Sequence, residues 1–158
     1  MSFFGYGCVA KSNVDKKLIY STLNEIILHD SIFAHIICGK FEPATIPDDI
    51  RKEFFPNDNN FIQEQVKKSK NISVDRGQLY FYSRKRGKLV KSVIDTTCSM
   101  NIFYRLTFPI FSKDLQTAVI GVTEDCSNCL LGGWGFKAVY KRQNDKWVIV
   151  KKFEGWIS

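Results

Sequence analysis

The sequence predicts an α+β fold, with N-terminal helices packed on a curved antiparallel sheet formed mainly by residues 72–158. Three observations carry this. Before residue 70, apolar residues recur at helical spacing between capping signals. After residue 72 they alternate with polar residues, the period of a half-buried strand. The chain also holds 13 Phe among its 158 residues, and aromatic side chains suit pleated surfaces. Helices first and strands after give segregated layers.

The first helix begins at Ser12-Asn13-Val14-Asp15, which has the S-x-x-D form of a capping box. Ile19, Leu23, Ile26 and Ile27 follow at i, i+4, i+7 and i+8, one apolar stripe that ends near His29-Asp30. The run Ile32 to Cys38 is apolar on both faces, as in a buried strand. A second helix starts at Thr45-Ile46-Pro47-Asp48 and must stop by Phe55, because Pro56 disfavours the α region there. Asn60 is placed to cap a third short helix carrying Phe61, Ile62 and Val66.

Strands occupy the rest. Leu79 to Ser83 and Leu89 to Asp95 flank Arg84-Lys85-Arg86-Gly87, a basic hairpin turn. Ile102 to Phe108 alternates, and Thr117 to Glu124 reads as a central strand. Phe136, Ala138 and Tyr140 alternate with lysines and Val139. Gln143-Asn144-Asp145-Lys146 then turns the chain into Trp147 to Lys151.

Length fits a single domain over 1–158, with 1–12 a flexible N-terminal segment. The net charge of 23 − 16 = +7 favours an acidic partner: an acidic protein, an anionic membrane surface or nucleic acid. No apolar run approaches the roughly 20 residues of a membrane span. Cys8, after Gly5-Tyr6-Gly7, gives two expectations for compartment. It is the envelope if Cys8 is a lipoprotein cysteine, and the cytoplasm if Met1 is the true start. Five cysteines leave one unpaired or lipid-modified in an exported protein, whereas in the cytoplasm all five can be reduced thiols.

The segments Phe111 to Asp114, Ala118 to Val122, Cys126 to Gly135, Asp145-Lys146-Trp147 and Trp156-Ile157-Ser158 resemble a family of small, functionally uncharacterised bacterial proteins. The resemblance covers roughly residues 101–158. The last hairpin is also similar to the closing strands of the NTF2-like (cystatin-like) superfold, which implies a curved sheet around a pocket. Neither resemblance implies a particular reaction.

The motif Cys126-Ser127-Asn128-Cys129 admits three readings. Zinc needs two more ligands at suitable spacing, and His35-x-x-Cys38 on a strand would point its side chains to opposite faces. A thioredoxin-type pair needs a helix after the first cysteine, but Leu130-Leu131-Gly132-Gly133 follows. There remains a loop between strands, closed by a Cys126–Cys129 disulfide in an oxidising compartment, with Gly132, Gly133 and Gly135 supplying positive φ and a bulge around Trp134. No metal and no cofactor is expected.

Arg84, Lys85, Arg86 and Lys88, with Tyr80 and Tyr82 upstream, form the sharpest electrostatic feature. They and Trp134 are the candidate binding residues. A solvated turn whose lysines discourage edge pairing is preferred to nucleic-acid binding, because no nucleic-acid motif accompanies the charges. His35 is the candidate catalytic residue, as an acid/base facing Asp95 or Asp125 in an NTF2-like pocket enzyme. The leading expectation is instead a non-enzymatic protein, of accessory or immunity type, that binds a protein partner or a small ligand.

Overall fold

The computed structural model describes residues 14–130 and 132–157. The expected flexible segment and Cys8 lie outside them.

Helix α1 spans Lys16–His29. Its N-cap is Asp15, whose carboxylate accepts the Leu18 N–H at 2.8 Å. The sequence expectation gave the cap to Ser12, which lies outside the described residues. Ile19, Leu23, Ile26 and Ile27 are all buried, as the stripe requires. Helix α2, Asp48–Phe54, has Pro47 at its N-cap and stops two residues before Pro56. Helix α3, Asn59–Lys68, starts before the expected cap Asn60. Asp58 holds the N-cap position, and its carboxylate accepts from the Lys113 N–H instead of capping the helix.

Strands β1 (Ile36–Cys38), β4 (Val93–Asp95), β5 (Ile102–Leu106), β6 (Ile110–Phe111), β7 (Thr117–Cys126), β8 (Trp134–Gln143) and β9 (Lys146–Ile157) form one sheet. Its order is β4-β1-β5-β7-β8-β9, with β6 also paired to β7. Strands β2 (Tyr80–Ser83) and β3 (Lys88–Lys91) make a separate antiparallel hairpin.

The class is α+β, but the sheet is mixed rather than antiparallel throughout. β1 comes from the N-terminal half and runs parallel to both neighbours, β4 and β5. The expected strand Ile32 to Cys38 survives only as its last three residues. Ile37 and Cys38 are buried because β1 is an interior strand, where parallel pairing is at home.

The helices do not form one layer either. Successive residues of a strand point to opposite faces. Tyr140 of β8 donates its hydroxyl to Asp30, just past α1, at 2.9 Å. Lys141, the next residue, lies 5.6 Å from the Phe54 ring of α2, and Lys137 donates to Thr45. So α1 covers one face and the 45–54 segment the other. α3 acts at an edge. The buried Gln65 amide accepts the Phe111 N–H at 2.9 Å and donates to the Phe111 carbonyl at 2.7 Å, standing in for a neighbouring strand beside β6.

β8 and β9 are joined by Asn144 and Asp145, both at positive φ (49° and 61°), the conformation of a type I′ turn. β9 carries two register shifts against β8, which interrupt its regular edge.

Candidate functional site: the basic hairpin

Residues 76–94 hold six basic residues and no acid: Arg76, Arg84, Lys85, Arg86, Lys88 and Lys91. That run of +6 nearly equals the net charge of +7, so the rest of the chain is close to balanced. Five of the six lie on the β2–β3 hairpin.

The hairpin is held firmly. Asn24 of α1 donates to the Gln78 carbonyl at 2.8 Å and accepts the Tyr80 N–H at 2.9 Å. The Ser92 N–H donates to the Leu79 carbonyl, closing the base. Phe81 turns inward, with its ring 6.2 Å from that of His35. The turn closes when the Arg86 and Gly87 N–H groups donate to the Ser83 carbonyl, and Gly87 takes the positive φ (61°) needed to leave it.

All of Arg84, Lys85, Arg86, Lys88 and Lys91 are exposed. None forms an ion pair among the described residues. The Arg84 guanidinium instead sits 4.6 Å from the centre of the Phe33 ring. Tyr82 and Leu89 face each other across the hairpin and are exposed by 50% and 53%. Ile27, Leu28, Phe33, Tyr82 and Arg84 line a shallow groove of about 150 Å³ between the end of α1 and the hairpin. Arg84 therefore joins the hairpin's charge to a groove bordered by the exposed side chains of Leu28, Phe33 and Tyr82. The charge of residues 76–94 is readable in the sequence. The contributions of Leu28 and Phe33 are not, because they come from distant segments.

Among the described residues no carboxylate hydrogen-bonds to His35. Its Nδ1 lies 2.9 Å from the Phe33 carbonyl oxygen, and its ring packs against Phe81 and Tyr104. Neither expected carboxylate reaches it. Asp95 accepts four hydrogen bonds from its own loop: the Thr97 N–H and hydroxyl, and the Ser99 and Met100 N–H groups. Asp125 pairs with Arg105 at 3.1 Å, and Arg105 follows Tyr104 in β5, pointing to the opposite face. Tyr104 donates to Glu124 at 2.6 Å, and burial, with that carboxylate, raises its pKa.

The bonds to Asp95, led by the Met100 N–H, hold its carboxyl down at about 2, against an ordinary 3.8. A carboxyl depressed in the folded state stabilises above its unfolded pKa, and that contribution is lost as pH falls through the folded value. Chemical denaturation between pH 4.5 and 2 should therefore show a larger loss of stability for the wild type than for Asp95→Asn. Parallel curves for the two proteins would show that the loop does not depend on the charge.

Trp134 is partly buried, stacked on Phe136 (5.9 Å, 10°) and edge-on to Tyr104 at 6.3 Å. It belongs to a row of rings that runs from Phe81 through His35 and Tyr104, rather than to the hairpin tip. Cys126 and Cys129 are disulfide-bonded. Gly133 and Gly135 are not at positive φ, contrary to expectation. Gly133 is needed for close approach, since a Cβ there would come 1.7 Å from the Glu124 carbonyl oxygen. A second disulfide, Cys38–Cys98, ties β1 to the Asp95 loop, with its Cα atoms 4.8 Å apart. Cys38 is thus not the partner of His35, and among the described residues no three metal-ligating side chains gather.

Another cleft, of about 360 Å³, is lined by Val14, Ile19, Tyr20, Phe41, Ile72 and Phe108. The charges at its edge, Lys16 and Asp75, neutralise each other at 2.9 Å. No helix among the described residues is long and apolar enough to cross a membrane. Comparison with family models, with characterised proteins and with solved structures finds no match to this chain.

Proposed function

We propose that the protein is a non-catalytic binding protein that engages an anionic surface through the tip of the β2–β3 hairpin. The observation that carries this is the set of five exposed cations on one braced hairpin, none of them in an ion pair among the described residues. Unpaired like charges held together repel one another, and an anionic partner relieves that repulsion. Braced by Asn24 and Phe81, the tip presents its charges without much ordering cost on binding. His35, held among aromatic rings and a carbonyl, supports the absence of acid/base work.

The test is affinity for a soluble polyanion such as heparin, read as a function of salt. Replacing Arg84, Lys85, Arg86 and Lys88 together by Gln should weaken binding by at least about tenfold and flatten its salt dependence. Replacing Lys67 and Lys68 of α3 by Gln should change little, because they lie outside the hairpin. Equal losses from the two sets would remove the hairpin as the site.

A further inference from the structure

We infer that the anionic surface is a lipid bilayer carrying acidic headgroups, with Tyr82 and Leu89 entering the interface while the surrounding cations meet phosphates. This rests on the anion-binding reading of the hairpin and adds the identity of the partner. The first argument is the company the cations keep. Tyr82, Leu89 and Val93 are exposed by 50%, 53% and 56%, and Phe33 and Leu28 by 39% and 37%. Such residues have no role in a purely ionic contact. Leu89 lies between Lys88 and Lys91 in sequence and opposite Tyr82 in register. An aliphatic side chain has no π face for a base to stack on, so a nucleic acid leaves Leu89 unused.

The second argument is the sign of the rim. A protein–protein interface surrounds an apolar centre with mixed polar groups. Here the hairpin's charges are all positive, and no acid occurs between Asp75 and Asp95. A bilayer offers the complement of both parts: a layer of negative charge, and beneath it an apolar phase into which amphipathic side chains reach. The third argument is rigidity. Asn24 fixes the hairpin to α1, and Phe81 occupies its inner face, so Tyr82 and Leu89 are held out in solvent. Arg84 spans both functions, with its charge exposed above the Phe33 ring. Neither attraction is strong alone, and together they give reversible attachment.

The experiment is co-sedimentation with vesicles of phosphatidylcholine alone, and of phosphatidylcholine with about one-third phosphatidylglycerol, at two salt concentrations. A single-stranded oligonucleotide and polyglutamate serve as soluble polyanions. The wild type should bind the acidic vesicles and not the neutral ones. Tyr82→Ser with Leu89→Ser keeps every cation and should lose at least about tenfold in vesicle affinity while holding polyglutamate as before. Leu89→Gln alone removes one exposed side chain with little threat to folding, and should give a smaller loss of the same kind. Wild-type vesicle affinity in both variants overturns the inference. So does a wild type that binds a soluble polyanion but no vesicle, which leaves the anion-binding reading in place. Binding to none of these removes both.

Discussion

Replacing Cys38 and Cys98 by Ser should lower the unfolding free energy by about 4 kcal/mol, the chain entropy that a bridge across some 60 residues removes from the unfolded state. The bond joins an interior strand to the loop that follows β4, so it restrains the part of the fold with the longest connection. It also stands where the backbone is strained, since Cys98 is at a φ of 51°. Replacing Cys126 and Cys129 by Ser should cost no more than about 2 kcal/mol, because that bridge closes only a three-residue separation. Urea denaturation of the two double variants measures both. Equal losses, or a larger loss for the shorter loop, would contradict the assignment of the long bridge as the stabilising one. Disulfides persist in oxidising compartments, so a reducing medium should weaken the protein mainly through Cys38–Cys98.

Trp147→Ala should cost about 3–5 kcal/mol, the range for removing a large buried aromatic. Trp147 is 1% exposed at the start of β9, where its ring meets Phe111 at 6.0 Å. Its backbone N–H donates to Glu25 of α1 at 2.8 Å, which fixes the β8–β9 hairpin against the helix. Trp147→Phe should cost much less, below about 2 kcal/mol. The indole Nε1 is buried with no partner among the described residues, so the smaller ring gives up volume but no hydrogen bond. Thermal or urea unfolding followed by circular dichroism distinguishes the two variants without relying on tryptophan emission. Similar losses for Ala and Phe would mean that the indole nitrogen has a partner after all.

Local rules made much of this fold legible. The Ile19-Leu23-Ile26-Ile27 stripe lies in the core, and the long strands β7, β8 and β9 pair in sequence order. The turn residues Asn144 and Asp145 act as their chemistry requires. What stayed hidden depends on distant partners. An apolar run such as residues 32–38 announces burial, but not that its end will be threaded between β4 and β5. Five cysteines do not announce which pairs form, and Cys38 finds Cys98 only because the parallel pairing of β1 with β4 brings the following loop alongside. The alternation of residues 79–95 does not show that the run breaks at Ser92, with 80–91 forming a separate hairpin and Val93–Asp95 joining the main sheet beside β1.

The candidate site was half legible for the same reason. Consecutive positive charges with a glycine show themselves in any sequence, and Arg84 to Lys88 are the tip of β2–β3. His35 looked available because a histidine on an apolar strand has no visible partner. In the fold its neighbours are two rings and a carbonyl, while Asp95 and Asp125 are satisfied elsewhere. Phe33 and Leu28 join the cations only once α1 and the hairpin lie side by side.

The most direct measurement is backbone-amide NMR of the isotope-labelled protein titrated with a short soluble polyanion. The shifts that change with anion concentration should cluster at residues 82–91 and around Phe33, fade as salt is added, and vanish in the variant with Gln at Arg84, Lys85, Arg86 and Lys88. Shifts centred on His35, Tyr104 and Glu124 that survive in that variant, or no saturable shifts at the hairpin, would contradict an anion-binding tip.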